Sequence, residues 1–129
     1  MSTYTQLLYQ IVFSTKERNP VLAKPNRARL FRYISGILKN KNCHLYIING
    51  VEDHIHILTH IHQSIAIADL VKDIKVASNL FIKEQNLFND FTYWQEGYGV
   101  FTYSTKEKYQ LITSTIKKNI ISKSHLRMN

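Results

Sequence analysis

Cysteine is nearly absent from this chain. Cys43 stands alone, so no disulfide framework can form within the molecule, and a reducing compartment suits it. Acidic residues are also scarce, nine against seventeen Lys and Arg, for a formal charge of +8 and a pI near 9.6. That imbalance favours a polyanionic partner, nucleic acid being the usual one. No apolar run approaches the ~20 residues of a membrane helix. Residues 1–6 carry neither the charged nor the apolar region of a signal peptide, and a cytoplasmic location is expected. Internal repeats and low-complexity linkers are missing, as are a P-loop, a dinucleotide glycine fingerprint, a CxxC pair and a G-x-S-x-G elbow. What is present is 129 residues, 44% of them hydrophobic, enough for one domain with a real core.

The hydropathy pattern sets the order of elements. Thr3–Ser14 alternates as a strand, with Leu7, Tyr9, Ile11 and Phe13 on one face. Thr15–Pro25, charged and holding both prolines, reads as a loop. Asn26–Lys39 repeats Leu30, Phe31, Ile34, Ile37 and Leu38 at helical spacing, and Asn40–Cys43 is its exit turn. His44–Asn49 and His54–Ile61 read as a hairpin across the turn Gly50–Asp53. Ile67–Glu84 carries the stripe Ile67, Leu70, Val71, Ile74, Ala77, Phe81 of a long amphipathic helix. Val100–Tyr103 is a fourth strand after the glycines of Trp94–Gly99. Ser104 and Glu107 form a capping box for a last helix reaching about Ile120. The first six elements follow the split βαβ order of ferredoxin-like domains. The expected fold is therefore α+β, ferredoxin-like (RRM-like): an antiparallel sheet with helices on one face, plus a C-terminal helix. Residues 1–121 form one domain, and the basic tail 122–129 is expected to fray.

Chemistry concentrates at His54-Ile55-His56. On a strand the two imidazoles point the same way, about 7 Å apart along the chain, with Leu58 and His60 continuing their row. Such a pair is half of a divalent-metal site, since a third, polar ligand must come from elsewhere. A lone His-x-His is more often two satisfied surface or core histidines. Its standing here comes from its company: His60, the basic charge and the order of elements. Trp94 and Tyr98, beside Gly97 and Gly99, could stack unpaired bases, although a core Trp is the plainer account. Lys16, Arg18, Lys72 and Lys75, with Arg27, Arg29, Arg32, Lys39 and Lys41, could track a phosphate backbone or form solvated faces.

Four stretches together resemble one family. They are Tyr9-Gln-Ile-Val-Phe-Ser-Thr-Lys16, Asn49-Gly-Val-Glu-Asp-His-Ile-His-Ile-Leu58, Asp69-Leu-Val-Lys-Asp-Ile-Lys75 and Trp94-Gln-Glu-Gly-Tyr-Gly-Val-Phe101. The chain from Tyr4 to Ser104 resembles the insertion-sequence-200-like transposases, the small single-tyrosine members of the HUH class. The resemblance implies a ferredoxin-like homodimer that cleaves and rejoins single-stranded DNA, often at hairpin-marked ends. It implies a tyrosine nucleophile on the last helix, forming a phosphotyrosine. It also implies Mg²⁺ or Mn²⁺ held by His54, His56 and a polar residue one helical turn beyond that tyrosine.

The last helix departs from this pattern. Aligned from Tyr98 without a gap, the tyrosine position falls on Ser114 and the polar ligand on Lys118; with one insertion they fall on Thr115 and Asn119. Of these, Asn119 suits a metal and Lys118 opposes it. Tyr109 precedes Ser114 by five residues, about 140° around a helix, so the two do not share a face. Three functions therefore stand as expectations: a DNA-nicking and rejoining transposase, a catalytically defective or repurposed DNA-binding relative, and an RNA-binding ferredoxin-like module.

Overall fold

The computed structural model describes residues 7–104. The elements run β1 (Leu8–Ser14), a 3-10 turn (Lys16–Arg18), α1 (Lys24–Asn40), β2 (Leu45–Gly50), β3 (His54–Thr59), α2 (Ile67–Glu84) and β4 (Gly99–Tyr103). One sheet orders them β2-β3-β1-β4, each pair of neighbours antiparallel. This is the expected split βαβ arrangement. Each crossover helix returns the chain to a strand one place beyond its neighbour, so both helices cover the same face.

The apolar stripes bury as their spacing requires. Leu30, Ile34 and Leu38 of α1 meet Leu70, Val71, Ile74 and Ile82 of α2 over Ile11, Phe13, Ile55 and Ile57 of the central strands. Each such side chain contributes roughly 1.5–3 kcal/mol by leaving water. Both helices stop at an asparagine in the left-handed region, Asn42 (φ 60°) and Asn86 (φ 50°). Cys43 N–H donates to Leu38 O (2.9 Å) and Leu87 N–H to Ile82 O (3.0 Å), which satisfies carbonyls each helix end would leave open.

The boundaries differ from expectation in places. α1 begins at Lys24, because Pro25 sits in the first turn, where its missing N–H is not needed. The 15–25 loop contains the 3-10 turn, with Glu17 and Arg18 both at φ 55°. β1 starts at Leu8 and β3 stops at Thr59, so His60 lies beyond the strand. Its ring packs edge-on to Tyr46 (5.1 Å), with Nδ1 3.2 Å from the Tyr46 hydroxyl, in a group with His44 rather than with His54 and His56. Residues 1–6, most of the capping box, the last helix and the tail lie outside the described residues, and with them Tyr109, Ser114, Thr115, Lys118 and Asn119.

The sheet's second face carries the histidine pair. Register pairs Ser14 with His54, Val12 with His56 and Gln10 with Leu58, and pairs Gln10 with Phe101 on the other side. Leu8 and Leu58 are fully buried yet stand apart from the core cluster. On this face His54 and His56 are half-buried.

Candidate functional site

The hairpin that delivers His54 is tightly specified. A Cβ on Gly50 would lie 2.7 Å from His54 O and 2.8 Å from Ile55 Cγ2, so only glycine lets the strands close here. Val51 N–H donates to His54 O (3.0 Å). Arg27 donates to Gly50 O (2.9 Å) and Leu22 O (2.9 Å), with Glu52 at 3.6 Å. Burial holds the Arg27 guanidinium below its ordinary pKa, with Glu52 opposing that shift. Arg27 is therefore a fastener of the hairpin rather than a phosphate contact.

The turn places Asp53 directly against His54. Asp53 Oδ1 lies 2.7 Å from His54 Nδ1, and Asp53 Oδ2 lies 3.5 Å from Arg18 Nε. Thr15 holds the same residue from behind, its N–H donating to Asp53 O (2.9 Å). The His54 and His56 rings sit 4.9 Å apart, centroid to centroid. Gln10 Nε2 lies 3.1 Å from His56 Nδ1, and the Tyr103 hydroxyl donates to Gln10 Oε1 (3.3 Å). A polar chain, Tyr103–Gln10–His56, thus crosses three strands on one face.

In both rings these bonds engage Nδ1; at His56 the reversed Gln10 amide, with Oε1 accepting from Nδ1–H and Nε2 donating to the Tyr103 oxygen, is the orientation that frees Nε2 for a ligand. The carboxylate on His54 Nδ1 fixes the tautomer with its proton there and directs the Nε2 lone pair outward, the usual outer support of a metal-binding imidazole. The donor set fits two ligands of a mixed nitrogen–oxygen site. Among the described residues no group of three or more His, Cys, Asp or Glu converges, so these two imidazoles are a half-site.

The expected DNA contacts are not all free to serve. Trp94 is 4% exposed and packs edge-on to Phe13 (4.9 Å) and Phe91 (5.0 Å). Its indole N–H donates to buried Ser78 (2.9 Å). It is a core residue, which corrects its reading as a base-stacking platform. Lys75 donates to Gln95 O (2.7 Å) and Gly97 O (2.6 Å) and lies over the Phe13 ring; burial lowers its pKa from the ordinary lysine value. It straps the 93–98 loop to α2. Lys16 bonds the Tyr93 hydroxyl (2.9 Å), chiefly for which its pKa is raised. Lys72 and Tyr98 stand exposed on the α2 side.

The candidates fall into two groups on opposite faces of the sheet, at one shared end. His54 is opposite the last residue of β1, and the 93–98 loop leads into the start of β4, which pairs with the same end of β1. The Lys16–Arg18 turn joins them: Lys16 touches Tyr93, and Arg18 touches Asp53. Spacing along the chain did not point to Asp53, Gln10 or Tyr103. For Asp53 the one available signal was its place immediately before His54. For Gln10 it was a polar residue within an alternating strand, which acquires meaning only once register sets it beside His56.

Comparison with known proteins places this geometry in context. The family model described as "Transposase IS200 like" matches residues 3–119. A transposase candidate from Deinococcus radiodurans R1, solved by crystallography, superposes with a TM-score of 0.67 at 23% identity, covering 92% of this chain and 95% of its own. A REP-associated tyrosine transposase bound to a REP hairpin superposes with a TM-score of 0.60 at 15% identity, covering 85% of this chain and 67% of its own. No curated protein matches.

Proposed function

The chain belongs to the IS200-like transposases, and from that premise we propose that it binds hairpin-marked single-stranded DNA on its histidine face, as the DNA-handling component of transposition. The observation that carries this reading is the His54–His56 pair, anchored through Nδ1 by Asp53 and Gln10 on a rigid strand. The two imidazoles would hold Mg²⁺ or Mn²⁺, with a polar side chain such as Asn119 completing the set. Bound there, the ion would polarise the phosphoryl oxygens of a DNA strand. Arg18 and Lys16, on the turn beside Asp53, steer the backbone by charge. A homodimer is the proposed working unit.

In its fuller form the reading includes strand cleavage and rejoining through a phosphotyrosine. One observation favours a second reading, a DNA-binding relative without the covalent step: Ser114 or Thr115 occupies the expected tyrosine position. A hydroxyl of Ser or Thr needs an activating base, and Tyr109 is five residues from Ser114, a spacing of about 140° on any helix. The test is incubation with Mn²⁺ and labelled single-stranded DNA bearing hairpins. A denaturation-resistant protein–DNA adduct establishes the covalent form. Binding without any adduct establishes the second reading. Equal, metal-indifferent binding of RNA and DNA contradicts both.

A further inference from the structure

We propose that the pocket between α2 and the 93–98 loop binds one unstacked base of single-stranded DNA, read by the Asn79 side-chain amide. The proposal rests on the reading of the chain as a DNA-handling protein. The cavity measures about 400 Å³, within the ~300–1,000 Å³ typical of ligand pockets. Val76, Asn79, Tyr93, Tyr98, Lys72 and Glu96 are among the residues lining it.

Three observations select a nucleobase. First, Val76, Tyr93 and Tyr98 are 55%, 48% and 40% exposed, a costly display of apolar area that a planar ring would cover. Lys16 already sits over the Tyr93 ring at 4.8 Å, so Tyr98 is the freer stacking surface. Second, Asn79 Oδ1 is buried with no hydrogen-bond partner among the described residues. An unpaired buried amide oxygen is destabilising, and its persistence asks for a reason. Rotation about the soft terminal torsion of Asn turns the amide toward the cavity. There it offers one acceptor and one donor side by side, the pattern that reads adenine N6 and N7. Third, Lys72 stands exposed at the rim, with Lys16 beyond Tyr93, against the single lining carboxylate of Glu96. That balance suits a base whose phosphates stay outside. The Lys75 strap holds the loop, and hence Tyr98, in place before any ligand arrives.

A strand crossing the Lys16–Arg18 turn would reach this pocket from the histidine face. The pocket would then hold a base flanking the bound phosphate and lend sequence preference to a site otherwise built on charge.

The test is fluorescence anisotropy with labelled hexadeoxyadenylate, hexadeoxythymidylate and an abasic hexamer of the same charge. Wild-type protein is expected to bind hexadeoxyadenylate best and the abasic hexamer at least tenfold more weakly. Asn79→Leu should lose about tenfold for hexadeoxyadenylate, leave the abasic hexamer unchanged, and unfold at the same or a higher temperature because an unpaired amide is gone. Tyr98→Ala should weaken both base-bearing oligomers by a similar factor. Equal wild-type affinity for all three hexamers overturns the pocket while leaving DNA binding intact, as does an Asn79→Leu protein that binds hexadeoxyadenylate like wild type. Failure of all three to bind overturns the pocket, and overturns the DNA reading with it only if a hairpin-ended single-stranded oligonucleotide also fails to bind. A shift from dimer to monomer on Asn79→Leu or Tyr98→Ala, seen by sedimentation, assigns the pocket to a second copy and overturns the proposal.

Discussion

Removing the Asp53 carboxylate probes the histidine site through a residue that would touch no metal itself. Asp53 Oδ1 is 2.7 Å from His54 Nδ1, with side chains 26% and 20% exposed. The contact is partly shielded from water, so it is worth more than a surface pair and less than a dry one. Two contributions can be separated. The hydrogen bond fixes the Nδ1–H tautomer that frees Nε2 for a ligand, and the negative charge attracts a cation held by the ring. Asp53→Asn keeps an acceptor oxygen and loses the charge, whereas Asp53→Ala loses both. Removing such an outer partner typically costs 10–100-fold in metal affinity, about 1.4–2.7 kcal/mol. Asp53→Asn should fall near the low end of that range and Asp53→Ala near the high end, with Mn²⁺ affinity read by calorimetry. Circular dichroism should show all three proteins folded, because Thr15 bonds the Asp53 backbone carbonyl rather than its side chain. If Asp53→Ala binds Mn²⁺ as tightly as wild type, the proposed support of His54 is wrong.

Gln10→Leu should weaken Mn²⁺ binding by roughly fivefold, less than Asp53→Ala, because a neutral hydrogen bond is worth about 1 kcal/mol; an unchanged affinity in the same titration would show that Gln10 does not position His56. Trp94→Phe should cost about 1 kcal/mol in urea unfolding by losing the bond to Ser78, and Trp94→Ala about 3–5 kcal/mol by opening the core. A stable Trp94→Ala protein with weakened DNA binding would instead return Trp94 to the interface. Lys75 gives a pH signature. Its folded pKa lies below the ordinary value of 10.5, so between the two the unfolded chain binds more protons, and stability rises with pH. Relative to Lys75→Met, wild type should gain stability across that window in denaturant titrations, and a flat difference would contradict the burial of its ammonium group.

The legibility of this chain divides along physical lines. α2 is legible to its ends because Ile67 to Glu84 is long and strictly periodic, and tertiary contacts agree with the pattern. The strand order followed from the sequence of elements, since right-handed crossovers leave few ways to lay them side by side. Pro25 is ambiguous in the sequence because proline breaks a helix interior but suits a first turn, and composition alone does not distinguish the two. Trp94 is ambiguous for a related reason: an aromatic beside glycines reads alike whether it faces solvent or core. The polar chain through Gln10 and Tyr103 joins residues 93 apart, and only pairing of β1 with both β3 and β4 brings them together. Asn79 carried no signal at all, since a single amide on a helix acquires meaning only from the cavity it lines.

The central claim is that His54 and His56 couple metal to single-stranded DNA. Its most direct measurement is the affinity for a hairpin-ended single-stranded oligonucleotide, in Mn²⁺ and in EDTA, for wild type and for His54→Ala/His56→Ala. The account predicts that Mn²⁺ tightens wild-type binding by tenfold or more, and that the double variant binds in both buffers at the wild-type EDTA level. A double variant that keeps the full Mn²⁺ enhancement would contradict it.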